Sequence, residues 1–455
     1  MKTLLAALFA ALLALTAAMV ASRPREGKPG KVPLVWVTDK NPTRDAQIEV
    51  FERNHPDLDL FIDPGNTDTQ KVIVQSQAGV GPDVFDYWGE AAKNAYVQSG
   101  IAWDLTDALL SHEMDFRKSI WPLALSWTTT KDGRIYGVPA NVGVDAIWIH
   151  QDLFEKAGVP LPKPGWTLDD LVKTAEALTV RGKDGHIEQY GLLVDFGGAY
   201  REFLPEFGGD LFDEKGLHCT VADEPSVACL NFIHDLLYKY RVAPSPADEQ
   251  SLTAGGGWGG GAGPQAYFRK KMGAMALGGR WWLVQLRDDV RDHGFKLAAA
   301  PPPVGKFSSL GGGGTRAVMI NSRSPHREEA LQFLLYLLGE NYNLLLNDQG
   351  DALSGVRKYA YTDRYVHVPD YPTESFHVAF RATLERGVML RSSPFIDMVQ
   401  VDASLNRQLD LVKLNQKEPA AAMRDAVDEI DAAIRRNASR DPKLREAFLA
   451  AGGKF

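Results

Sequence analysis

The alternation of short apolar runs with amphipathic helical stretches constrains this fold more than any other sequence feature. The run VPLVWV at 32–37 is typical of a buried strand. Residues 44 to 55 carry apolar side chains with helical spacing and end before Pro56, after which LDLFID alternates like a second strand. A helix over 69–78, a strand at DVFDYW and a helix over 90–98 follow. This order predicts a doubly wound α/β domain.

The same alternation begins again at residue 145. DAIWIH is predicted as a strand, and the helix after it ends at Gly158. Thr167 and Asp170 form a capping box for the next helix, and the strand GLLVDF follows. Helices are predicted over 224–240, 265–272 and 395–436, and a further helix is expected to have Ser324 as its cap and Pro325 as its first residue. A chain of 455 residues is long enough for two cores, so we expect two domains.

The first 22 residues have the layout of a secretory signal peptide. Lys2 precedes an apolar run from Leu4 to Val20, and alanines surround a possible cleavage point. An uncleaved membrane anchor is the alternative, because the run is slightly long for a signal peptide and slightly short for a membrane span. We expect a soluble, exported protein, either periplasmic or secreted.

The net charge bears on nucleic acid as a partner, and the two cysteines bear on a disulfide or a metal site. A formal net charge of −8 argues against nucleic acid, because phosphate binding needs a basic surface. Cys219 and Cys229 are ten positions apart and are expected to form a disulfide in an oxidising compartment. The alternative is two unrelated buried thiols. No C-x-x-C motif occurs, and His218 has no further ligands at metal spacing, so we predict no metal site.

The sequence carries no recognisable catalytic motif. Residues 255–260 match G-x-G-x-x-G, but no strand precedes them and no helix begins on them. Asp169 and Asp170 point about 100° apart on a helix, so they cannot flank one glycosidic bond. Helix capping accounts for them. We therefore predict a non-catalytic protein that uses no cofactor.

Aromatic, amide and charged side chains concentrate at predicted strand ends and in loops, where open α/β sheets bind ligands. The candidate ligand contacts of this kind are Asp39, Lys40, Asp86, Trp88, Asn141, Trp148, Trp258, Trp281 and Trp282. A tryptophan is more often part of the core, and we expect that for Trp36, Trp103, Trp121 and Trp127.

The stretch GAMALGGRWWL at 273–283 places two tryptophans side by side after two glycines. It is predicted as a strand and a turn, in which the glycines let the backbone approach a ligand closely. Adjacent residues of a strand face opposite sides, so at most one of the two rings can be core. We assign Trp281 as a stacking platform and Trp282 as the support behind it.

A flat indole beside carboxylates and amides suits a sugar. Burying about 100 Å² of the apolar sugar face on one tryptophan contributes roughly 2.5 kcal/mol. Each hydroxyl that is buried without a partner costs about 1 to 3 kcal/mol, so polar neighbours are needed as well. Micromolar binding requires about 8 kcal/mol, which two or three aromatic rings and a polar set supply.

Several segments resemble the extracellular solute-binding proteins of bacterial ABC importers, the family that includes maltose-binding protein. They are FERNHPDLDL, QAGVGPDVFDYWGE, KDGRIYGVPANVGVDAIWIHQDLFEKAGV, PGWTLDDLVKTAEALT, FRKKMGAMALGGRWWL and PHREEALQFLLYLL. Their order and spacing carry the resemblance, which covers nearly all of the chain after residue 30. It implies a type II-like periplasmic-binding-protein fold, with two discontinuous α/β lobes, each a mixed sheet flanked by helices, and a ligand in the hinged cleft.

The resemblance also implies boundaries, partners and further site residues. It places the N-terminal lobe at 31–140 plus 297–340 and the C-terminal lobe at 141–296 plus 341–455. It adds Arg316 and Arg357 to the ligand contacts, and it implies a monomer that delivers its ligand to an ABC permease. Ile149 and His150 replace a usual tyrosine and asparagine, and the glycine loop at 253–263 is an unusual insertion. These departures concern the ligand and not the family.

The predicted function is therefore transport of a carbohydrate, as an oligosaccharide or sugar derivative. One alternative is another polar solute. A phosphate ester would rely on four basic residues, Lys40, Arg280, Arg316 and Arg357, whereas a polyamine would rely on acidic side chains. A glycan-degrading enzyme is the remaining alternative.

Overall fold

The computed structural model describes residues 27–63, 68–252, 263–307, 310–311, 313–371 and 376–455. The predicted export segment at 1–22 and the predicted ligand contact Trp258 lie outside the described residues. Within those ranges, no helix combines the length and the apolar character needed to cross a membrane.

The strands and helices alternate along most of the described chain. The strands are β1 (Val32–Val37), β2 (Leu58–Ile62), β3 (Val84–Trp88), β4 (Val138–Gly143), β5 (Asp145–His150), β6 (Val180–Arg181), β7 (Ile187–Leu193), β8 (Gly273–Gly279), β9 (Leu297–Ala300) and β10 (Gly314–Ile320). The helices of the first half are α1 (Pro42–Asn54), α2 (Thr69–Gln77), α3 (Gly89–Gln98), α4 (Thr106–Leu110), α5 (Phe116–Ser119), α6 (Pro122–Thr128), α7 (Gln151–Ala157), α8 (Leu168–Leu178), α9 (Phe196–Phe203) and α10 (Glu224–Tyr238).

The second half is mainly helical. Its helices are α11 (Pro246–Leu252), α12 (Pro264–Arg269), α13 (Leu283–His293), α14 (Arg327–Leu338), α15 (Glu340–Asp348), α16 (Asp363–Val366), α17 (His377–Arg386), α18 (Met398–Lys413), α19 (Pro419–Arg440) and α20 (Pro442–Ala450). Short 3-10 turns lie at Leu204–Phe207, Arg280–Trp282 and Arg357–Tyr361.

The chain divides into two compact units. Unit 1 contains the residues up to 141, residues 315–345 and residues 355–357, and unit 2 contains residues 142–314, 346–354 and 358–455. The chain therefore passes between the units within β4, within β10, within α15 and on either side of 355–357.

The sheet of unit 1 has the strand order β2-β1-β3-β10-β4. β1 is parallel to β2 and β3, and β10 is antiparallel to β3. The Asn41 side chain caps α1 by accepting from the Thr43 amide, and Pro42 takes the first helical position, which needs no amide donor. Phe85, Tyr96 and Met319 belong to the hydrophobic core on this sheet.

The sheet of unit 2 has the strand order β6-β7-β8-β5-β9. β7 and β8 are parallel, whereas β5 is antiparallel to both β8 and β9. The Thr167–Asp170 capping box predicted for α8 is confirmed. The core of this unit extends into the C-terminal helices α18 and α19, where Leu405 and Ile430 are fully buried.

Mixed sheets flanked by helices confirm the predicted α/β class, but the placement of residues 297–314 and the start of α14 differ from the prediction. Residues 297–314 belong to unit 2, because β9 pairs with β5. The region predicted as helical over 395–436 contains two helices, α18 and α19. Helix α14 begins at Arg327, while the Ser324 hydroxyl accepts from the His326 amide at 2.9 Å in the turn before it.

The predicted disulfide is also not formed, because Cys219 and Cys229 are free, buried thiols. The Cys219 amide donates to Asp431 Oδ1 at 2.9 Å, which holds that segment against α19. Cys229 lies in α10, and its thiol contacts the Tyr200 carbonyl oxygen at 3.6 Å. Burial raises the pKa of Cys219 to about 12 and raises that of Cys229 as well, so both thiols remain protonated at neutral pH.

Thiol titration tests this correction. We expect a thiol reagent to modify two cysteines per chain after denaturation without reductant, and neither cysteine in the native protein within minutes. The variant Cys229→Ala should lower the denatured count to one. If the denatured wild-type protein shows no reactive thiol, the predicted disulfide between Cys219 and Cys229 is present and the correction is wrong.

Two buried histidines predict that the protein loses stability in mild acid. His150 lies 2.9 Å from the Phe268 carbonyl oxygen through Nε2 and stacks on the Phe268 ring, and burial lowers its pKa to about 4. Burial and the charge of Arg280 lower the pKa of His377 to about 2. The unfolded chain binds a proton at each position near pH 6.5, but the native chain does not. Each histidine should therefore remove about 2 kcal/mol of stability between pH 6.5 and 5.0.

Urea denaturation at several pH values measures this effect. The variant His150→Gln keeps a donor for the Phe268 carbonyl and should lose the contribution of one histidine to the pH dependence. The comparison separates this histidine from carboxyl groups such as Asp145, whose raised pKa acts in the opposite direction. The same pH dependence in variant and wild type would contradict the prediction.

Candidate functional site

In unit 1, predicted site residues lie where the parallel strands β1 and β3 end. Thr38 and Asp39 follow β1, and β3 ends at Trp88. The antiparallel strand β10 places Arg316 opposite Trp88 and Val318 opposite Asp86. Because the carboxyl ends of neighbouring parallel strands meet at one edge of a sheet, residues that are distant in sequence come together here.

The buried carboxylate of Asp86 organises this edge. It accepts hydrogen bonds from Trp36 Nε1 at 2.6 Å and from Thr38 Oγ1 at 2.5 Å, and it pairs with Arg316 Nη1 at 3.1 Å. Burial raises the pKa of Asp86, and Arg316 acts in the opposite direction. Arg316 also donates to the Tyr342 hydroxyl at 2.8 Å. Both charged side chains are buried within unit 1, which corrects their prediction as direct ligand contacts.

Three other predicted residues are exposed or partly exposed at this edge. Trp88 is 47% exposed, and Lys40 is exposed. Asp39 is half-buried and pairs with Arg44 Nη2 at 3.1 Å. Burial acts to raise the pKa of Asp39, but Arg44, Arg316 and Asn41 together lower it, so Asp39 is ionised at neutral pH. An aromatic ring, a cation and an anion are therefore available to a solute here.

The two remaining predicted residues of unit 1 have structural contacts. Asn141 is buried, and its Oδ1 accepts from the Arg316 amide at 3.3 Å. Arg357 is exposed, and its guanidinium lies 5.1 Å from the centre of the Trp121 ring, as in a cation–π contact. The described contacts of Arg357 are thus with a core tryptophan and not with the edge at Asp86.

In unit 2, a comparable edge forms where the parallel strands β7 and β8 end. Asp195 follows β7 after one residue, and Arg280 follows β8 directly. The antiparallel strand β5 begins at the same edge, because Asp145 pairs with Gly279. This edge presents aromatic and acidic side chains together.

The tandem tryptophans lie in the 3-10 turn after β8 and divide between surface and core. Trp281 is 39% exposed, whereas Trp282 is 4% exposed and lies 6.1 Å from the Phe268 ring. The two indoles are 6.2 Å apart at 84°, so the Trp282 ring packs edge to face with Trp281. This geometry agrees with a platform and a support, while contact of Trp281 with a ligand stays a prediction.

The glycines before the tryptophans have a different role from the one predicted. A Cβ on Gly279 would lie 2.2 Å from Trp281 Nε1, and a Cβ on Gly278 would lie 2.2 Å from Trp282 Cζ2. Both indoles therefore fold back onto the end of β8. The glycines accommodate the protein's own aromatic rings rather than a ligand.

Trp148 is part of the core of unit 2, which corrects its prediction as a ligand contact. Its side chain has no exposed surface, and its Nε1 donates to the Gly279 carbonyl at 3.1 Å. The rings of Phe376 and Phe380 pack on it at 5.3 and 5.0 Å. Trp148 thus supports the turn that carries Trp281 from beneath.

A group of acidic residues at this edge was not singled out from the sequence. Asp145 and Glu202 are hydrogen-bonded through their side chains, and Asp195 lies close enough to affect Asp145. Burial and Asp195 raise the pKa of Asp145 to about 6, and burial and Asp145 raise that of Glu202. Asp195 itself is exposed and caps α9 by accepting from the Gly198 amide at 2.7 Å. The position of Asp195 at the end of the predicted strand GLLVDF is the sequence signal that could have indicated this group.

Alanine substitutions at the two glycines test how the aromatic pair is held. Gly279 has a φ of −76°, so alanine fits its backbone and only the added Cβ matters. Gly279→Ala should displace the exposed Trp281 ring and change its fluorescence, with a loss of about 1 kcal/mol. Gly278→Ala pushes against the buried Trp282 ring and should cost about 2 to 3 kcal/mol.

Urea denaturation and tryptophan emission of the two variants measure this contrast. Equal losses of stability, or an unchanged emission in Gly279→Ala, would contradict the described packing.

The family follows from a model that spans most of the chain. The model for bacterial extracellular solute-binding proteins matches residues 37–343, which include both strand edges. The chain belongs to this family. The solute-binding protein also matches curated relatives at low identity.

An arabinooligosaccharide-binding protein of Halalkalibacterium halodurans is 27% identical over 223 residues, which cover 45% of this chain and 44% of that relative. The match therefore spans less than half of that protein. An arabinooligosaccharide-binding protein of Bacillus subtilis is 25% identical over 348 residues, which cover 72% of this chain and 74% of the relative.

The solved structures support the fold of this solute-binding protein. An ABC substrate-binding protein from Listeria monocytogenes in complex with cycloalternan superposes with a TM-score of 0.75 at 20% identity, covering 89% of this chain and 99% of that chain. The family and its structural neighbours are substrate-binding proteins. Among the described residues, no group of three or more histidine, cysteine or acidic side chains could hold a metal ion.

Proposed function

We propose that the protein binds a carbohydrate, as an oligosaccharide or sugar derivative, for an ABC importer. The observation that carries this proposal is the half-exposed Trp281 indole at the same strand edge as the Asp145, Glu202 and Asp195 carboxyl groups. The indole face suits the apolar face of a sugar ring, and the carboxyl groups of Asp145 and Asp195 accept hydrogen bonds from its hydroxyls. In unit 1, Trp88 and Asp39 repeat this combination.

The names of the relatives support a sugar ligand. Two of them are named arabinooligosaccharide-binding proteins, and the structural neighbour described above holds cycloalternan. These proteins bind different sugars, so the likeness supports the class of ligand and not its linkage.

The burial of two arginines disfavours a phosphate ester. Arg316 pairs with Asp86, and Arg280 is fully buried and hydrogen-bonded to backbone carbonyls. Of the four basic residues that a phosphate would use, only Lys40 and Arg357 are exposed. A polyamine remains a second candidate, because the carboxyl groups near Trp281 would attract a cation.

The carboxyl pair also argues for binding without catalysis. Glycosidases hold their two carboxyl groups roughly 5 to 9 Å apart, so that the glycosidic bond or a water fits between them. A side-chain hydrogen bond joins Asp145 and Glu202, which is a closer approach than either glycosidase arrangement. We therefore propose an exported, monomeric binding protein that passes its sugar unchanged to a membrane permease.

Titration of the protein's tryptophan fluorescence tests the proposed ligand class. The panel comprises arabinotriose, maltotriose, mannotriose and raffinose, with glycerol 3-phosphate and spermidine as the competing classes. We expect a saturable change with at least one oligosaccharide at micromolar concentration and no sugar cleavage during prolonged incubation. Saturation by spermidine or glycerol 3-phosphate alone would overturn the proposal, and cleavage products would overturn the non-catalytic role.

The tandem pair offers a matched test of the binding residue. Trp281→Ala should weaken sugar binding at least about tenfold, because an aromatic face worth roughly 2.5 kcal/mol is lost, and should change the melting temperature little. Trp282→Ala removes a buried ring and should lower the melting temperature by several degrees. Intact affinity in Trp281→Ala would remove this residue from the site.

A further inference from the structure

Arg280 is a fully buried arginine whose guanidinium is held mainly by backbone oxygens. Its Nη1 donates to the carbonyl of Asp351 and its Nη2 to that of Asn347, at 3.3 Å for the latter. Its Nε donates to His377 Nδ1 at 3.2 Å, and the guanidinium lies 4.7 Å from the centre of the Tyr365 ring. The side chain thus joins three separate segments of unit 2.

The absence of an ion pair distinguishes Arg280 from Arg316, the buried arginine of unit 1. Arg316 has the carboxylate of Asp86 at 3.1 Å, whereas within the described ranges no carboxylate oxygen lies within 4.0 Å of the Arg280 guanidinium. Burying a charge without a direct ion pair is costly, so Arg280 depends on the carbonyl oxygens and the ring that it contacts, and Asp351 adds a favourable charge at longer range. Removal of those contacts should therefore alter both the turn from which the side chain extends and the segments that it contacts.

One end of Arg280 is the Trp281 turn. Arg280 is the first residue of the 3-10 turn whose second residue is Trp281, and Gly279 precedes it. The Gly279 carbonyl is itself held by Trp148 Nε1. Anchoring of the Arg280 side chain therefore fixes the backbone from which the Trp281 indole projects.

The other end is a segment of connecting chain. Residues 346–354, here called the connecting segment, belong to unit 2, but the chain before and after them belongs to unit 1. Within this segment, the carbonyl oxygens of Asn347 and Asp351 accept hydrogen bonds from Arg280. Leu353 of the same segment exchanges two backbone hydrogen bonds of 2.7 and 2.9 Å with Val142. Val142 lies in β4 and is the residue at which the chain first enters unit 2.

We infer that Arg280 is a positioning residue that couples the Trp281 ring to the connecting segment, so that a sugar packed on Trp281 orders residues 346–354. The inference rests on the proposed function for its ligand-dependent part. The coupling itself is a property of the protein without ligand.

Arg287 provides a matched control on the same segment. It donates to the Gln349 carbonyl and pairs with Asp370 at 3.1 Å, but it extends from α13 and not from the Trp281 turn. Arg287→Met should therefore loosen the connecting segment without changing Trp281. Arg280→Met should change both.

The ligand-free test uses two measurements on each variant. Hydrogen exchange of a peptide covering 346–354 should become about tenfold faster in both Arg280→Met and Arg287→Met. Acrylamide quenching of Trp281, obtained by subtracting the matching Trp281→Phe protein, should change about twofold in Arg280→Met and stay at the wild-type value in Arg287→Met. Unchanged quenching in Arg280→Met would overturn the coupling, whether or not any sugar binds.

The ligand-dependent test is a double-mutant cycle on affinity for arabinotriose or maltotriose, whichever the wild type binds more tightly. Arg280→Met should weaken binding about tenfold when Trp281 is present and less than about twofold in the Trp281→Ala background. Arg287→Met should have the same small effect in both backgrounds. An equal loss for Arg280→Met in both backgrounds would show a general structural role and overturn the inference.

Two further results separate the possible failures. If Arg280→Met does not fold, Arg280→Lys keeps the charge but loses the planar fork, and the same cycle applies to it. If the wild type binds no sugar of the panel, the proposed function fails, and the quenching measurement alone decides the coupling.

Discussion

The close packing of two indoles onto Gly278 and Gly279 determines the edge of unit 2 on which the functional account depends. A side chain larger than hydrogen at either glycine would overlap a tryptophan ring. With that space available, the chain turns directly from β8 into a 3-10 turn, and the first tryptophan stays half-exposed while the second enters the core. The turn that carries the exposed ring begins beside Asp145, because Asp145 of β5 pairs with Gly279 of β8.

The two units stabilise their strand edges by different electrostatic means. In unit 1 a buried carboxylate, Asp86, collects donors from β1 and β10, and its arginine partner comes from 230 positions away. In unit 2 the buried charge is Arg280, which uses carbonyl oxygens of residues 346–354 instead of a carboxylate. The first arrangement holds the strands of one sheet together. The second connects the end of a strand to a segment that the chain uses to pass between the units.

The periodicity of the sequence was sufficient for the α/β class and for most helices and strands, because apolar spacing and helix caps act locally. The periodicity did not predict which charged residues are buried. Asp86, Arg316 and Arg280 resemble ligand contacts in the sequence, since nothing in their neighbourhood shows the partners that bury them. Trp148 was misjudged for the same reason, because Phe376 and Phe380, which cover it, lie more than two hundred residues away. The division of the tandem tryptophans between surface and core was easier to predict, since adjacent residues of a strand face opposite sides.

A crystal structure of the protein with a bound oligosaccharide from the titration panel tests the role of Trp281 most directly. The account predicts a sugar ring stacked on the Trp281 indole at about 4 Å, with at least one hydroxyl hydrogen-bonded to Asp145 or Asp195. A sugar bound elsewhere, with the Trp281 face uncovered, would contradict it.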